Sequence, residues 1–254
     1  MIKAKKKFGQ NFLKDSYIKD KIIETIPNSR GQIVEIGAGL GDLTERLLDS
    51  NGVVAFEIDP ELCEYLKDKF SEQISSGKLK LICGDVLDHW KESSLYNEEY
   101  SIVANLPYYV ATNIILRALD DNLCSDITVM IQKEVADKFR AEVNNRNYSS
   151  LSVIAESVSR VESVVEVPPA SFEPPPKVDS SVISLHKFKS CSEVNFKKFL
   201  EVAFQQPRKT LMKNLSQKFD KERLLEKFSE LNIDQRVRPH QLEASLYHQL
   251  YKFL

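Results

Sequence analysis

Four short apolar runs, at residues 33–36, 53–56, 79–82 and 101–104, recur through the first half of the chain with helical stretches between them. Each is too short for a buried helix and the right length for a buried strand. Strands that alternate with helices over residues 33–132 predict a parallel α/β sheet. In open sheets of this kind ligands bind outside the carboxyl ends of the strands. The residues that end or follow these runs, Gly37, Glu57, Asp85 and Asn105, are therefore predicted to line one crevice. Two later runs, 161–167 and 178–186, are joined by a proline segment and are expected to form an antiparallel end of the sheet. From Asn195 onward the pattern is helical, with Phe196, Phe199, Leu200 and Ala203 at i, i+3, i+4 and i+7. A chain of 254 residues that is 42% apolar can bury one large core and a small second one. The predicted boundary falls near 187–193, giving domains 1–188 and 189–254.

The first run opens a loop, Gly37-Ala38-Gly39-Leu40-Gly41-Asp42, before a helix with Leu43, Leu47 and Leu48 on one face. Glycines at a strand-to-helix turn let a nucleoside approach the backbone closely. A dinucleotide fingerprint needs a further glycine where Asp42 stands. A carboxylate at a helix start competes with a pyrophosphate for the same positive end. It does not repel S-adenosylmethionine, which carries a sulfonium and no phosphate. Glu57 lies 20 residues after Gly37, where such sites place an acid on the ribose hydroxyls. Asp85 ends the next run and offers a carboxylate to the adenine amine of the donor. Taken singly, each acid is as readily a helix N-cap. Their register across successive strand ends favours the crevice.

The fourth run closes on Asn105-Leu106-Pro107-Tyr108-Tyr109. An exocyclic amine on a nucleobase is a poor nucleophile because its lone pair is delocalised into the ring. A site that accepts both N–H hydrogens draws that nitrogen toward a tetrahedral geometry. An Asn side-chain oxygen and the Leu106 carbonyl can do this, and Pro107 helps aim the carbonyl by holding Leu106 extended. Tyr108 offers a flat face for an extruded base. A strand-end turn of purely local origin would use the same Asn and Pro.

With these motifs in place the chain resembles the small-subunit ribosomal RNA adenine dimethyltransferases of the KsgA type. Phe8-Gly9-Gln10-Asn11-Phe12-Leu13 matches the N-terminal arm, and Glu35-Ile36-Gly37-Ala38-Gly39 the cofactor loop. Glu57-Ile58-Asp59, Gly84-Asp85 and Asn105-Leu106-Pro107-Tyr108 match the ribose, adenine and catalytic motifs. Gln132-Lys133-Glu134-Val135-Ala136 and the block from Phe172 through the three prolines to Ser180 are two further matches. The resemblance implies a Rossmann-like S-adenosylmethionine-dependent methyltransferase sheet with a small all-helical C-terminal domain that binds rRNA. It also implies a catalytic group of Asn105, Leu106, Pro107, Tyr108 and Phe172, with Phe172 framing the base opposite Tyr108. The donor would be held by Asn11, Leu13, Gly37, Gly39, Glu57, Asp85 and Asn105. The implied target is a pair of adjacent adenines in a loop near the 3′ end of small-subunit rRNA, within a partly assembled subunit. Two positions depart from the family pattern. Ser149 follows Tyr148 where glycine is usual, and Pro207 interrupts the basic block Gln206-Pro207-Arg208-Lys209.

Net charge is −2, but residues 187–254 hold 14 Lys/Arg against 8 Asp/Glu, while residues 1–186 hold 21 against 29. The first 14 residues add five lysines and no acid. Positive flanks on an acidic body suit phosphate binding, although Lys-rich helices are also ordinary solvated faces. The N-terminal lysines can equally be a disordered start. Four cysteines without a C-x-x-C pair and four scattered histidines argue against a metal site or disulfide framework and for a reducing cytosol. No run approaches membrane-spanning length. A cytoplasmic monomer is expected. Three rivals remain: a large-subunit rRNA methyltransferase of the macrolide-resistance type, a non-catalytic RNA-binding assembly factor, and a DNA adenine methyltransferase. The match of the helical tail disfavours the first, intact Asn105 and Tyr108 the second, and the lack of a duplex-reading domain the third.

Overall fold

Apolar runs rich in Ile and Val become central strands because both of their faces are covered. The computed structural model describes residues 3–26, 31–49, 52–90, 94–188 and 194–253. A short β1 (Phe12–Leu13) and α1 (Ser16–Glu24) lead into β2 (Gln32–Ile36), α2 (Asp42–Leu48) and β3 (Val53–Glu57). There follow α3 (Pro60–Lys69), α4 (Ser71–Ser75), β4 (Leu79–Cys83), α5 (Val86–His89), β5 (Tyr100–Asn105), α6 (Ala111–Asp120) and β6 (Cys124–Gln132). Next come α7 (Lys133–Arg140), α8 (Ser150–Val158), β7 (Ser159–Val167), β8 (Phe172–Glu173) and β9 (Ser180–Lys187). Helices α9 (Val194–Ala203), α10 (Leu211–Leu215), α11 (Lys221–Glu230) and α12 (Ala244–Tyr251) complete the described elements.

One seven-stranded sheet runs in the order β4-β3-β2-β5-β6-β9-β7. The first five strands are parallel, and β9 returns antiparallel against β6 from Asp126↔His186 to Gln132↔Ser180. The expected α/β sheet with an antiparallel end is therefore present. Strand order reverses between β2 and β5, which opens the crevice where ligands bind in such sheets. The consecutive residues Ile102 and Val103 in β5, which point to opposite faces, are 0% and 1% exposed, so both faces of the sheet are covered there.

The chain forms two compact units. The first comprises Met1–Ala136 with Val161–Ser190, and the second Asp137–Arg160 with Cys191–Leu254. The second unit thus takes in 137–160, which the sequence boundary left with the sheet, while residues 189–193 at that boundary lie outside the described residues. Its core is aromatic: Phe196 stacks on His248 with ring centres 4.1 Å apart, and buried Tyr247 donates to the Pro239 carbonyl at 2.7 Å. Tyr148, after which glycine was expected, donates to Glu156 at 2.9 Å.

The expectation of no disulfide needs correcting, because Cys63 on α3 is bonded to Cys83 at the end of β4, with Cα atoms 6.0 Å apart. The β3–α3–β4 crossover folds the helix back onto the strand, a proximity that a 20-residue spacing does not reveal. Cys124 is a free buried thiol, and Cys191 lies outside the described residues.

Candidate functional site

The crevice is built by hydrogen bonds that tie neighbouring strand ends together. Gly37 and Ala38 donate their amides to the Phe56 carbonyl at 2.8 and 3.2 Å. Gly84 donates to the Glu57 carbonyl at 2.9 Å, and Leu106 to that of Met130 at 3.1 Å. Gly39 takes a φ of +59° and turns its amide onto Glu57 Oε2 at 2.8 Å. The other carboxylate oxygen of Glu57 accepts from the Asp59 amide at 2.9 Å. Burial pushes the Glu57 carboxyl up, and these two amides oppose the rise. Each oxygen keeps a second lone pair for a ligand hydroxyl.

An N-terminal arm covers this floor. Leu13 of β1 pairs with Phe172 of β8, and Lys14 donates its amide to the Ser171 carbonyl at 2.9 Å. Farther out, Asp59 latches the arm: Oδ1 accepts from Lys5 Nζ at 2.7 Å and Oδ2 from Gln10 Nε2 at 3.0 Å. Burial alone would raise the Asp59 carboxyl, but these hydrogen bonds hold it below the ordinary range. Lys5 also meets Glu61 at 2.7 Å, so this lysine is spent on the latch, whereas Lys6 and Lys7 are exposed. The sequence analysis placed Gln10 and Asp59 in separate motifs and missed the latch that joins them to Lys5, because no local pattern pairs residues this far apart in the chain.

Where arm meets strand, Asn105 donates its side-chain Nδ2 to the Asn11 carbonyl at 3.0 Å. The Asn11 side chain donates in turn to the Gly9 carbonyl at 3.3 Å. Pro107's carbonyl is taken up by the amides of Val110 and Ala111, both at 3.1 Å, as α6 begins. The Tyr108 hydroxyl bonds the Ser180 hydroxyl at 2.8 Å, and burial pushes its phenol up, so the ring is neutral.

One cavity gathers most of the predicted site: Asn11, Leu13, Gly37, Gly39, Glu57, Asn105, Leu106, Pro107 and Tyr108 all line it. Two predicted residues are not among its lining. Asp85 caps α5, its Oδ1 accepting from the Leu87 amide at 2.9 Å. Phe172 is 1% exposed and packs in the core behind β1. Lys19 lines the cavity and was missed by the sequence reading. No group of three or more His, Cys, Asp or Glu side chains fit to hold a metal occurs among the described residues. No helix of the described residues is long and apolar enough to cross a membrane.

A glycine loop at a sheet's switch point, with a buried acid on the next strand end and a tethered Asn-Leu-Pro-Tyr turn, defines an α/β protein of the nucleoside-binding methyltransferase class. Comparison with known proteins narrows that class. Residues 1–254 match the family model described as ribosomal RNA adenine dimethylase, and the chain belongs to that family. It is 54% identical over 251 residues to the ribosomal RNA small subunit methyltransferase A of Sulfurimonas denitrificans, covering 99% of this chain and 94% of that protein. The protein of the same description from Aliarcobacter butzleri is 52% identical, with 98% and 96% covered. A dimethyladenosine transferase from Plasmodium falciparum superposes with a TM-score of 0.78 at 26% identity, covering 94% of this chain and 95% of that one. The 23S rRNA methyltransferase ErmE shares the fold, with a TM-score of 0.72 at 23% identity over 96% and 99% of the two chains. At this identity the likeness to ErmE is one of fold, helical tail included.

Proposed function

We propose that the protein transfers methyl groups from S-adenosylmethionine to the N6 amines of two adjacent adenines in a loop near the 3′ end of small-subunit rRNA. The observation that carries this reading is the Asn105–Asn11 hydrogen bond at the switch point. It commits the amino end of the amide to the arm and leaves the oxygen as the end that accepts from a target amine. The Leu106 carbonyl would take the second N–H, Pro107's own being spent on α6. Tyr108 would stack on the extruded ring. Glu57 would bind the ribose of the donor through its remaining lone pairs, and Gly37 and Gly39 would let the nucleoside lie against the backbone. Asp85 keeps Oδ2 for the donor's adenine amine.

The donor supplies an electrophilic methyl on a sulfonium. As the new C–N bond forms the S–C bond breaks, leaving a thioether. The alkylated nitrogen is positively charged and acidic, so its proton passes to water without a strong base. Repetition gives the dimethylated amine. Most of the rate acceleration would come from positioning and desolvation, not from acid–base groups. The partner is the rRNA of a partly assembled subunit, met through unstacked loop bases. The location is the cytoplasm.

Methyl transfer onto unmethylated small subunits, with mass mapping of the product, tests the reading. The expected product is two neighbouring dimethyladenosines in small-subunit rRNA. A modified adenine in the large subunit would instead support the macrolide-resistance activity, and no transfer at all an assembly factor without catalysis.

A further inference from the structure

Lys19 is the one basic side chain among the described residues that line the cavity, where Glu35, Asp42 and Glu57 supply the acids. Its side chain is only 9% exposed, and Nζ lies 3.3 Å from Oδ1 of Asp42, whose side chain is 47% exposed. A lysine is rarely buried to this degree unless its charge is matched. The other two acids are committed elsewhere. Glu35 accepts from the Thr44 hydroxyl at 2.6 Å, and both oxygens of Glu57 are braced by backbone amides. Lys19 and Asp42 thus present a cation beside an anion on the wall of a cavity whose floor takes a nucleoside.

We infer that the Lys19–Asp42 pair binds the α-amino acid head of the methyl donor, Lys19 taking the carboxylate and Asp42 the ammonium. A zwitterion is complementary to such a pair in charge and spacing. Burial of the ammonium of Lys19 strengthens its hold on a carboxylate relative to an exposed lysine. The inference rests on the donor assigned above and extends it to the end of that molecule farthest from its adenine. It explains why a buried lysine is placed on α1, whose neighbouring Ile18 and Ile22 go to the core.

Calorimetric titration with two probes tests it. S-adenosylhomocysteine carries the amino acid head; 5′-methylthioadenosine has the same nucleoside and thioether without it. Lys19→Met should weaken S-adenosylhomocysteine by about 10- to 100-fold, the loss of one charge-assisted hydrogen bond, and leave 5′-methylthioadenosine unchanged. Lys19→Arg should recover part of that loss. Asp42→Asn, at the more exposed partner, provides a second variant, with a smaller loss confined to the same probe. Equal weakening of both probes would make the pair a structural support and overturn the inference, as would unchanged S-adenosylhomocysteine binding in both variants. If the wild-type protein bound neither probe, the donor assignment itself would fall, and this inference with it.

Discussion

Asn105 and Glu57 close the two strands that flank β2, and they serve opposite ends of the reaction. Asn105→Ala should leave donor binding largely intact and cut turnover by roughly 10²-fold or more, as removal of one preorganised polar group does in other active sites. Single-turnover methyl transfer at saturating donor measures this, and a near wild-type rate would remove Asn105 from the chemistry. Glu57→Ala should act on binding, weakening the donor by about 1–3 kcal/mol through unpaired ribose hydroxyls. Unchanged affinity by calorimetry would rule out the ribose contact. Glu35 sets a pH dependence. Burial pushes its carboxyl up to about 7 from 4.5, against the hydrogen bond from Thr44. Between those two values the folded chain keeps a proton that the unfolded chain has lost. Its contribution to stability therefore falls as pH rises through that window and is level above it, by up to about 3 kcal/mol. Glu35→Gln should flatten that part of the stability–pH curve, read from denaturation midpoints across the window. An unaltered slope would mean that Glu35 titrates normally.

At the scale of elements, the glycine loop and the arm make the site. Gly41 has a φ of +76°, and a Cβ there would run into the Phe70 ring and Leu66 of α3. Gly41→Ala should cost about 2–4 kcal/mol, combining a left-handed backbone with an overpacked neighbour, and denaturant unfolding measures it. A midpoint equal to wild type would show that α3 gives way. Strands β2 to β5 were legible because apolar runs of this length with polar ends have few other uses. The arm was legible only as a motif. Its latch joins Lys5 and Gln10 to Asp59 across 54 and 49 residues of chain, and local pattern carries no trace of such pairs. Phe172 shows the converse: it stands where the motif puts it, yet its side chain is shut in the core, since side-chain direction follows packing and not position in a motif.

Over the whole molecule the charge is divided, with residues 187–254 carrying a surplus of Lys/Arg and residues 1–186 a surplus of Asp/Glu. Arg208 and Lys209 lie exposed between α9 and α10. Neutralising both should weaken RNA binding and flatten the slope of log affinity against log salt by roughly 0.7 to 0.9 for each phosphate that is no longer neutralised. Donor affinity should not change. A double variant with the wild-type salt slope would make this turn an ordinary solvated surface, with RNA held elsewhere. The sequence by itself determined the strand order's raw material, the glycine loop, the acids at successive strand ends and the Asn-Leu-Pro-Tyr turn, because each depends on backbone geometry and local spacing. Only the tertiary structure decided that residues 137–160 join the helical unit, that Cys63 meets Cys83, and that a buried lysine of α1 faces the donor cavity. Those outcomes depend on which surfaces the crossovers bring together, and apolar burial, which drives that meeting, is not directional.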